Sequence, residues 1–499
     1  MNILVLQLGK PAEIFSAVPM IRILEKKGHS VYTAVWETYR EAAEIIFEKD
    51  RLIPLASGTG EDAEDSFLQS ATRAISEKIE NMDLLLNLTF TELGAKLATR
   101  LNSKNRTGMM YGSNNDLLIP DPWSQYIFSQ VLSQNFNTLH FIDLYKRIAR
   151  VEAEATDLLG VDRAERNPRK SVCIQRIASH TDQTISSPAW NDLLEKLSDR
   201  FDSTIDLDQL SWVNRYIALK DASRLVTTSF DSAILASLLE VPTVFIHFGN
   251  IRVKDLGPYN VKSGKDACSH DILFINKKNA ASVPEAVEAI LKNIDVPVRV
   301  PHAVVKGRKC TAGVFVSHVA PKNFQQEDLH RFFEDAFYLL AEFRNSGRHE
   351  DLEVPKFNKK KNSIDLLEKT FDSICLLRRL AEYGVHYLGE ILKTKADKVQ
   401  LEKMMDKYID VEKQFLELQK SVPFIKPLID TWKVSKETSL CLTLEFEEVL
   451  EIAQSAYREL IENTEIVIQL METAVEATHK KSNSAERLVE RNLKGRELE

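Results

Sequence analysis

Residues 1–19 read MNILVLQLGKPAEIFSAVP, and the fold of the first part of the chain follows from their pattern. The apolar run at 3–8 predicts a buried β-strand, and the Gly-Lys-Pro triplet at 9–11 interrupts it. The stretch at 12–27 predicts an α-helix, and residues 30–35 predict the next strand. A strand, a helix and a second strand in this order indicate a βαβ unit, whose strands lie parallel in one sheet.

The same alternation of strands and helices continues through the next two hundred or so residues. Further strands are predicted at 52–55, 83–88, 171–174, 203–207, 224–227 and 242–246, and further helices at 65–79, 189–197, 212–220 and 231–239. Strands joined by helices need crossover connections, which give parallel sheets covered on both faces. We therefore predict two Rossmann-like α/β domains, at 1–160 and 161–300, with a ligand cleft between the carboxyl ends of their sheets.

The remainder of the chain has a helical pattern. We predict a crossover helix and linker at 301–362 and a helical extension at 363–499. Apolar residues in the extension recur at spacings of three and four, which is typical of helices that pack along a seam. These residues are Leu367, Phe371, Ile374, Leu401, Met404, Tyr408, Val411, Phe415, Leu418, Phe446, Leu450, Ala453, Tyr457, Leu460, Val467, Met471 and Ala474. A bundle within one chain and a coiled coil between chains share this spacing, so intramolecular packing, a homo-oligomer and a protein partner all stay open.

The composition excludes several classes of protein. The 499 residues are enough for about three domains. The 73 acidic residues outnumber the 65 basic ones, and the formal net charge of −8 argues against binding of duplex nucleic acid through a basic face. The 5 cysteines include no Cys-x-x-Cys pair, so we expect neither a disulfide framework nor a cysteine-ligated metal, and we assign no metal site.

The sequence also indicates where the protein works. No run approaches the ~18 consecutive apolar residues of a membrane helix, and the first apolar run is short and lacks the basic start of a signal peptide. We therefore expect a cytoplasmic protein. The basic runs at 306–309 and 359–361 suggest at most a peripheral contact with anionic lipid at the inner face of the inner membrane, although most such runs are solvated loops.

Glu13 is the first candidate for chemistry. It stands in the first turn of the helix that follows the opening strand, and this position places its carboxylate at the mouth of the predicted cleft. A carboxylate there suits a general base that removes a proton from a hydroxyl. Acidic residues are also common in first turns for structural reasons alone, so spacing by itself favours a role in starting the helix.

The residues around Glu13 resemble the N-terminal signature of glycosyltransferase family 9, the lipopolysaccharide heptosyltransferases. The resemblance begins with the strand, the polar loop, the acidic residue and Pro19, and it extends over roughly the first 260 residues. It also rests on Arg22, Leu24, Gly28, His29, Ala189, Trp190 and the segments 83–88, 106–108, 226–228 and 241–249. It implies a GT-B fold of two facing Rossmann-like domains, here followed by an α-helical C-terminal extension that a minimal family member lacks.

The resemblance assigns roles to the first loop. It implies that Glu13 is the catalytic base, in the place of the family's Asp, and that Gly9 and Lys10 shape the acceptor side. The implied reaction is an inverting, metal-independent transfer of a sugar from a nucleotide-sugar donor, such as ADP-heptose, to a hydroxyl of a surface glycan, a lipid or a protein. The donor is a substrate, and no cofactor is implied.

The donor side departs from the family. Family members carry a Lys shortly before the residue that corresponds to Trp190, and this chain has no basic residue at 185–191. Asp231 and Ile234 replace the family's Gly and His. The polar residues expected to border the donor are Ser179, His180, Thr181, Thr227, Thr228, Ser229 and Asp231. The pattern favours a structural role for Asp231 as the N-cap of the following helix, since Ser, Asp and Asn dominate that position, and its charge would oppose a phosphate dianion.

Two functions of different class follow from these residues. Glu13 favours a glycosyltransferase. The missing Lys, Gly and His favour a catalytically degenerate GT-B scaffold that binds a partner or assembles an oligomer through 363–499.

Overall fold

The protein is described by a computed structural model that groups the chain into two compact units. The first unit comprises Met1–Met109 and Thr138–Lys322, and the second comprises Met110–Asn137 and Asn323–Glu499. The residues that the structure describes are 1–56, 63–112, 117–132, 137, 139–151, 171–176, 185–248, 256–259, 270–275, 281–292, 302–306, 308–309, 315–316, 332–333, 336–341, 344, 361–393, 398–440 and 446–479.

A parallel sheet forms the first half of the first unit, residues 1–109. Its elements are β1 (Asn2–Leu6), α1 (Pro11–Lys26), β2 (Ser30–Trp36), α2 (Arg40–Glu44), β3 (Leu52–Leu55), α3 (Ala63–Lys78), β4 (Leu84–Asn87), α4 (Glu92–Arg100) and β5 (Asn105–Gly108). The strand order is β3-β2-β1-β4-β5, and all paired strands run parallel. Because β1 lies in the middle, its residues from Ile3 to Leu6 are fully buried, as expected for a strand covered on both faces.

The chain then leaves this half and returns to it. The segments β6 (Met110–Tyr111) and β7 (Leu117–Leu118) pair antiparallel, and α5 (Pro122–Tyr126) and a π-helical turn (Ile127–Leu132) follow. These segments belong to the second unit. The helix α6 (Phe141–Ile148) belongs to the first unit and packs on α1.

A second sheet forms the second half of the first unit, residues 171–309. Its elements are β8 (Val172–Gln175), α7 (Ser187–Ser198), β9 (Thr204–Asp206), α8 (Trp212–Asp221), β10 (Arg224–Thr227), α9 (Phe230–Leu238), β11 (Thr243–His247), β12 (His270–Ile275), α10 (Val283–Leu291) and β13 (His302–Lys306). The order is β13-β12-β11-β10-β8-β9, with β13 antiparallel and the other pairs parallel. The predicted α/β class with two largely parallel sheets is therefore confirmed.

Helices form most of the described part of the second unit. They are α11 (Lys361–Lys393), α12 (Lys398–Ser421), α13 (Lys426–Leu440) and α14 (Phe446–His479). Seam residues such as Phe371, Phe415 and Tyr457 are buried together in one core. The helical C-terminal region is therefore confirmed, and its seam packs within the chain; assembly with another chain stays a prediction.

The segment 110–137 is tied into this helical unit by its own contacts. The backbone N–H of Ile119 donates to Thr438 Oγ1 at 2.8 Å, and Arg344 Nη2 donates to Gln125 Oε1 at 2.7 Å. The ring of Trp123 packs against the ring of Tyr338 in the same unit, with centroids 6.4 Å apart. The predicted domain at 1–160 included this segment, because its short apolar runs do not indicate which distant element they pack against.

Several element boundaries differ from the predicted ones or stay predictions. The boundaries near 160 and 300 lie outside the described residues and stay predictions. The linker predicted up to residue 362 ends earlier, since α11 begins at Lys361. The basic run at 306–309 does not form a simple loop, because Lys306 ends β13 and Arg308–Lys309 forms the strand β14, paired with β15 (Phe315–Val316).

The requirements of a membrane-spanning helix are length and apolar character. None of the described helices combines the two.

Candidate active site

Glu13 lies at the start of α1, at the carboxyl end of β1. Its Oε2 accepts a hydrogen bond of 2.8 Å from the backbone N–H of Lys10, which is the N-cap residue. This bond is half of a capping box, and Pro11, which has no N–H to satisfy, suits the first helical position. The structural role that the spacing favoured is therefore present, and the bond also fixes one carboxylate oxygen over the loop.

Gly9 leaves room for this carboxylate. A Cβ at this position would lie 2.4 Å from Glu13 Oε2 and 2.9 Å from Gln7 Oε1. The backbone N–H of Gly9 donates to Gln7 Oε1 at 3.2 Å. Only a residue without a side chain lets the loop and the Glu13 carboxylate approach this closely.

The end of the neighbouring strand holds the same loop. Leu8 donates its backbone N–H to Thr89 Oγ1 at 2.7 Å, and that hydroxyl donates to the Leu6 carbonyl at 3.1 Å. Asn87 accepts from the N–H of Thr89 at 2.9 Å. All three side chains that define the loop, Gln7, Asn87 and Thr89, are almost completely buried, so the loop is held by side chains at the ends of β1 and β4.

Asp231 comes to this point from the second half. Its Oδ1 accepts a buried hydrogen bond of 2.9 Å from the backbone N–H of Ala12, in the first turn of α1. The N-cap of α9 is Ser229, and Asp231 is the second residue of that helix. The alternative in which Asp231 is the N-cap of its own helix is therefore wrong, and its Oδ1 serves α1, 219 residues away.

The other predicted donor residues of this strand end are buried. Thr227, Thr228 and Ser229 are each at most 1% exposed. Thr228 Oγ1 donates to the Arg176 carbonyl at 3.0 Å, and Thr227 Oγ1 accepts from the Ser229 N–H at 2.9 Å. These groups contact protein atoms at the carboxyl end of β10. Ser179, His180 and Thr181 lie outside the described residues.

Tyr39 was missed in the sequence, although it follows the end of β2. Burial raises the pKa of Tyr39, and the charges of Asp231 and Glu13 raise it further. The hydroxyl of Tyr39 is therefore close enough to sense both carboxylates. The loops that follow the strands of a parallel sheet gather at one edge, and Tyr39 lies in such a loop, since β2 ends at Trp36.

Arg215 supplies positive charge near Asp231. Its guanidinium lies over the Trp212 ring, 4.7 Å from the centroid, and Nε donates to the Leu210 carbonyl at 2.9 Å. Burial lowers the pKa of Arg215, and the charges of Asp208 and Asp231 oppose this effect. The role of Arg215 could not be predicted from the sequence, because the apolar pattern of α8 indicates only which of its residues share a face.

Arg176 is a second basic residue that sequence reasoning missed. It directly follows β8, and its side chain reaches the start of α7: Nη2 donates to Ser187 Oγ at 2.8 Å and Nε to the Ile185 carbonyl at 2.9 Å. The segment 185–191 has no basic residue of its own, but Arg176 places a guanidinium beside it. Its position directly after β8 would have predicted that Arg176 lies at the carboxyl edge of the sheet.

The two halves meet at further points around this edge. The rings of Phe15 and Trp212 contact edge to face, with centroids 5.5 Å apart. Val213 donates its N–H to Glu41 Oε1 at 3.4 Å. The first half and the second half are therefore joined by an aromatic contact and a hydrogen bond in addition to the Asp231 contact.

A buried polar contact joins α6 to the second half. His140 Nδ1 accepts from the Ile142 N–H at 3.0 Å, so Nε2 carries the proton and donates to the Gly257 carbonyl at 3.0 Å. Tyr259 donates its hydroxyl to Asp143 Oδ1 at 2.7 Å. Burial lowers the pKa of His140 to about 3, so the ring is neutral in the folded protein near neutral pH.

The described side chains at this edge do not form a metal centre. Within the ranges that the structure describes, no group of three or more His, Cys, Asp or Glu side chains is placed to hold a metal ion. Among the described residues, the groups at this edge that can take part in chemistry are the carboxylates of Glu13 and Asp231, the phenol of Tyr39 and the guanidinium groups of Arg176 and Arg215.

Comparison with known proteins found no matching family model and no matching curated protein. Among solved structures, the chain is similar to a glycosyltransferase family 9 protein of Veillonella parvula, at 14% identity and a TM-score of 0.43, over 58% of this chain and 97% of that one. It is also similar to the heptosyltransferase WaaC of E. coli with ADP, at 13% identity and a TM-score of 0.43, over 59% of this chain and 99% of that one. A UDP-GlcNAc 2-epimerase of Methanocaldococcus jannaschii matches at 13% identity and a TM-score of 0.32, over 60% and 94% of the two chains. Likenesses this distant do not identify the family or the activity.

Proposed function

We propose that the protein is a glycosyltransferase of GT-B architecture that moves a sugar from a nucleotide-sugar donor to a hydroxyl of a surface glycan, a lipid or a protein. The observation that carries the proposal is the place of Glu13: its carboxylate lies at the carboxyl edge of the first sheet, next to a helix start that Asp231 of the second half also contacts. Ligands of open α/β sheets bind at such edges. The family 9 signature around Glu13 supports a heptosyl donor such as ADP-heptose.

Glu13 acts as the general base in this proposal. It takes the proton from the acceptor hydroxyl while the acceptor oxygen attacks the anomeric carbon. The bond from that carbon to the diphosphate breaks, the electron pair leaves with the nucleoside diphosphate, and the configuration inverts. The bond from Lys10 N–H orients the carboxylate, and Gly9 gives it space. No metal is required for this proton transfer.

The second half provides the donor side. The residues proposed to border the donor are Ser179, His180, Thr181, Thr227, Thr228, Ser229 and Asp231. Arg176 and Arg215 add the positive charge that a diphosphate needs, because guanidinium groups pair well with phosphate oxygens. They stand in for the Lys that family members carry near the corresponding helix.

A degenerate scaffold is the second candidate. It is supported by the burial of Thr227, Thr228 and Ser229 and by the carboxylate of Asp231 at the amide of Ala12. Asp231 also stands in the first turn of α9 on the donor side, and a carboxylate there opposes a phosphate at that helix start. In this case the helical region 363–499 carries the function, through a partner or a second copy of the chain.

The two candidates differ in donor binding and in the role of Glu13. Calorimetry with ADP-, UDP-, GDP- and CMP-sugars should show binding of one nucleotide if the protein is a transferase. Glu13→Gln should lower the transfer rate by about 10²- to 10⁴-fold and leave the affinity for the donor unchanged. Gln can still accept from Lys10 N–H, since Glu and Gln serve equally in a capping box, so the variant should fold normally.

A matched control removes an acid from another first turn. Glu92, in the first turn of α4, has an exposed side chain, and Glu92→Gln should leave both binding and transfer unchanged. Absence of binding for every nucleotide sugar, together with an intact cellular phenotype in Glu13→Gln, would reject the transferase and favour the scaffold.

A further inference from the structure

The start of α1 is closed by a carboxylate of the protein itself. Asp231 Oδ1 receives the N–H of Ala12 at 2.9 Å, and Asp231 is only 6% exposed. The first amides of a helix carry partial positive charge and favour an anion. Asp231 therefore gives α1 the anion that its first turn favours, and it does so from the other half of the unit.

The surrounding contact is sealed. Eleven of the sixteen residues of α1 are buried, and all nine residues of α9 are buried. These two helices contact each other directly. A ligand that reaches residues 227–231 from the side of α1 has to separate the two helices first.

The charges around Asp231 come from both halves. Glu13 and Tyr39 lie on the first half, and both Asp231 and Glu13 raise the pKa of Tyr39. Arg215, on α8, is a cation of the second half close enough to interact with Asp231. The Asp231 carboxylate therefore lies between the start of α1 and the partly buried guanidinium of Arg215, which Asp208 and Glu41 also influence.

We propose that Asp231 is an intramolecular clasp: it holds the two halves closed by occupying the anion position at the start of α1, and it has to leave before a phosphate-bearing ligand can enter. The contacts of Phe15 with Trp212 and of Glu41 with Val213 flank the clasp and open with it. The ligand part of this inference rests on the proposed function. The closed contact itself does not.

The test uses the full chain and two variants of the clasp. Asp231→Ala removes the acceptor, whereas Asp231→Asn keeps an acceptor oxygen and removes the charge. Asp202→Ala is the control, because Asp202 is an exposed acid of the same half. Amide hydrogen exchange is followed by mass spectrometry in peptides from α1 and α9, and binding of ADP is measured by calorimetry.

In Asp231→Ala, exchange at the start of α1 should rise by about 10- to 100-fold, the range that corresponds to one hydrogen bond to a charged group. Peptides from the helical unit should not change, which separates opening from general loss of stability. ADP should bind more tightly to this variant than to the wild type by about the same factor, because the open form that admits the ligand is more populated by that factor. Asp202→Ala should match the wild type in both measurements. If Asp231→Ala does not fold, Asp231→Asn gives the ADP comparison.

The outcomes separate the clasp from the proposed function. Unchanged exchange in α1 and α9 of Asp231→Ala overturns the clasp. Equal affinity of ADP for wild type and variant also overturns it, while the donor-binding function stands. Faster exchange without ADP binding in any variant supports the closed contact and counts against the proposed function.

Discussion

Replacing Gly9 by Ala tests whether the position of the Glu13 carboxylate matters. The new Cβ would lie 2.4 Å from Glu13 Oε2, whereas ordinary contact begins at 3.4 Å, so the carboxylate has to move by the difference of 1.0 Å. Because Oε2 ends a flexible side chain, the cost in stability is small. Losing its bond to Lys10 N–H should lower the free energy of unfolding by about 1 kcal/mol.

The effect on transfer should be much larger than the effect on stability. A misplacement of about 1 Å in a catalytic group can lower a rate by about 10²-fold. We therefore expect Gly9→Ala to lower kcat for sugar transfer by about 10²-fold, with an unchanged Kd for the donor. The assay is the release of nucleoside diphosphate in the presence of acceptor, and urea unfolding gives the stability of the same preparation.

Gly28→Ala provides the matched control. Gly28 has φ of +80°, and no heavy atom lies within 4 Å of the place that a Cβ would take, so Ala is strained there by about 1 kcal/mol and touches nothing near Glu13. It should lose stability comparably and keep its transfer rate. An equal fall in kcat for the two variants, or no fall in Gly9→Ala, would show that the loop does not position the base.

Two further predictions concern other parts of the protein. A Cβ at Gly384 would lie 2.5 Å from the ring of Tyr457, so Gly384→Ala should lower the free energy of unfolding by about 1–3 kcal/mol. Gly389→Ala is the control, because its Cβ would meet only the end of a flexible side chain at 3.0 Å, and it should leave the free energy of unfolding unchanged. Urea titration of the two variants compares their stabilities. Since burial lowers the pKa of His140 to about 3, the unfolded chain binds this proton first as the pH falls, and stability should decrease between about pH 6.5 and pH 3. Urea unfolding at pH 7 and pH 5 should show a smaller decrease for His140→Gln, and equal decreases would contradict this role of the ring.

Much of the α/β part could be predicted from local patterns. The strands at 52–55 and 224–227 have the predicted bounds, and β1 differs from its prediction by only one or two residues at each end. Such elements can be predicted because a buried strand needs a short apolar run and a helix needs apolar residues at spacings of three and four. Both are properties of neighbouring residues. The place of Glu13 in the first turn followed from the same pattern.

The polar partners at the candidate site could be predicted only in part. Tyr39 and Arg176 follow strand ends, so topology would have placed them at the edge. The reach of the Arg176 guanidinium to Ser187 depends on a rotamer and on the distance between two elements. Arg215 is visible only once α8 has been positioned in space.

Local patterns in the chain were sufficient for much of the secondary structure, the parallel character of the two sheets, the helical seam and the carboxylate at the start of α1. These features depend on hydrogen bonds and apolar periods that span a few residues. Two others appear only in three dimensions: Asp231 serves a helix 219 residues away, and 110–137 joins the helical unit. A carboxylate near a helix start is stabilised by whichever amide lies closest, and packing between distant elements sets which amide that is. The pattern of neighbouring residues therefore does not predict such packing.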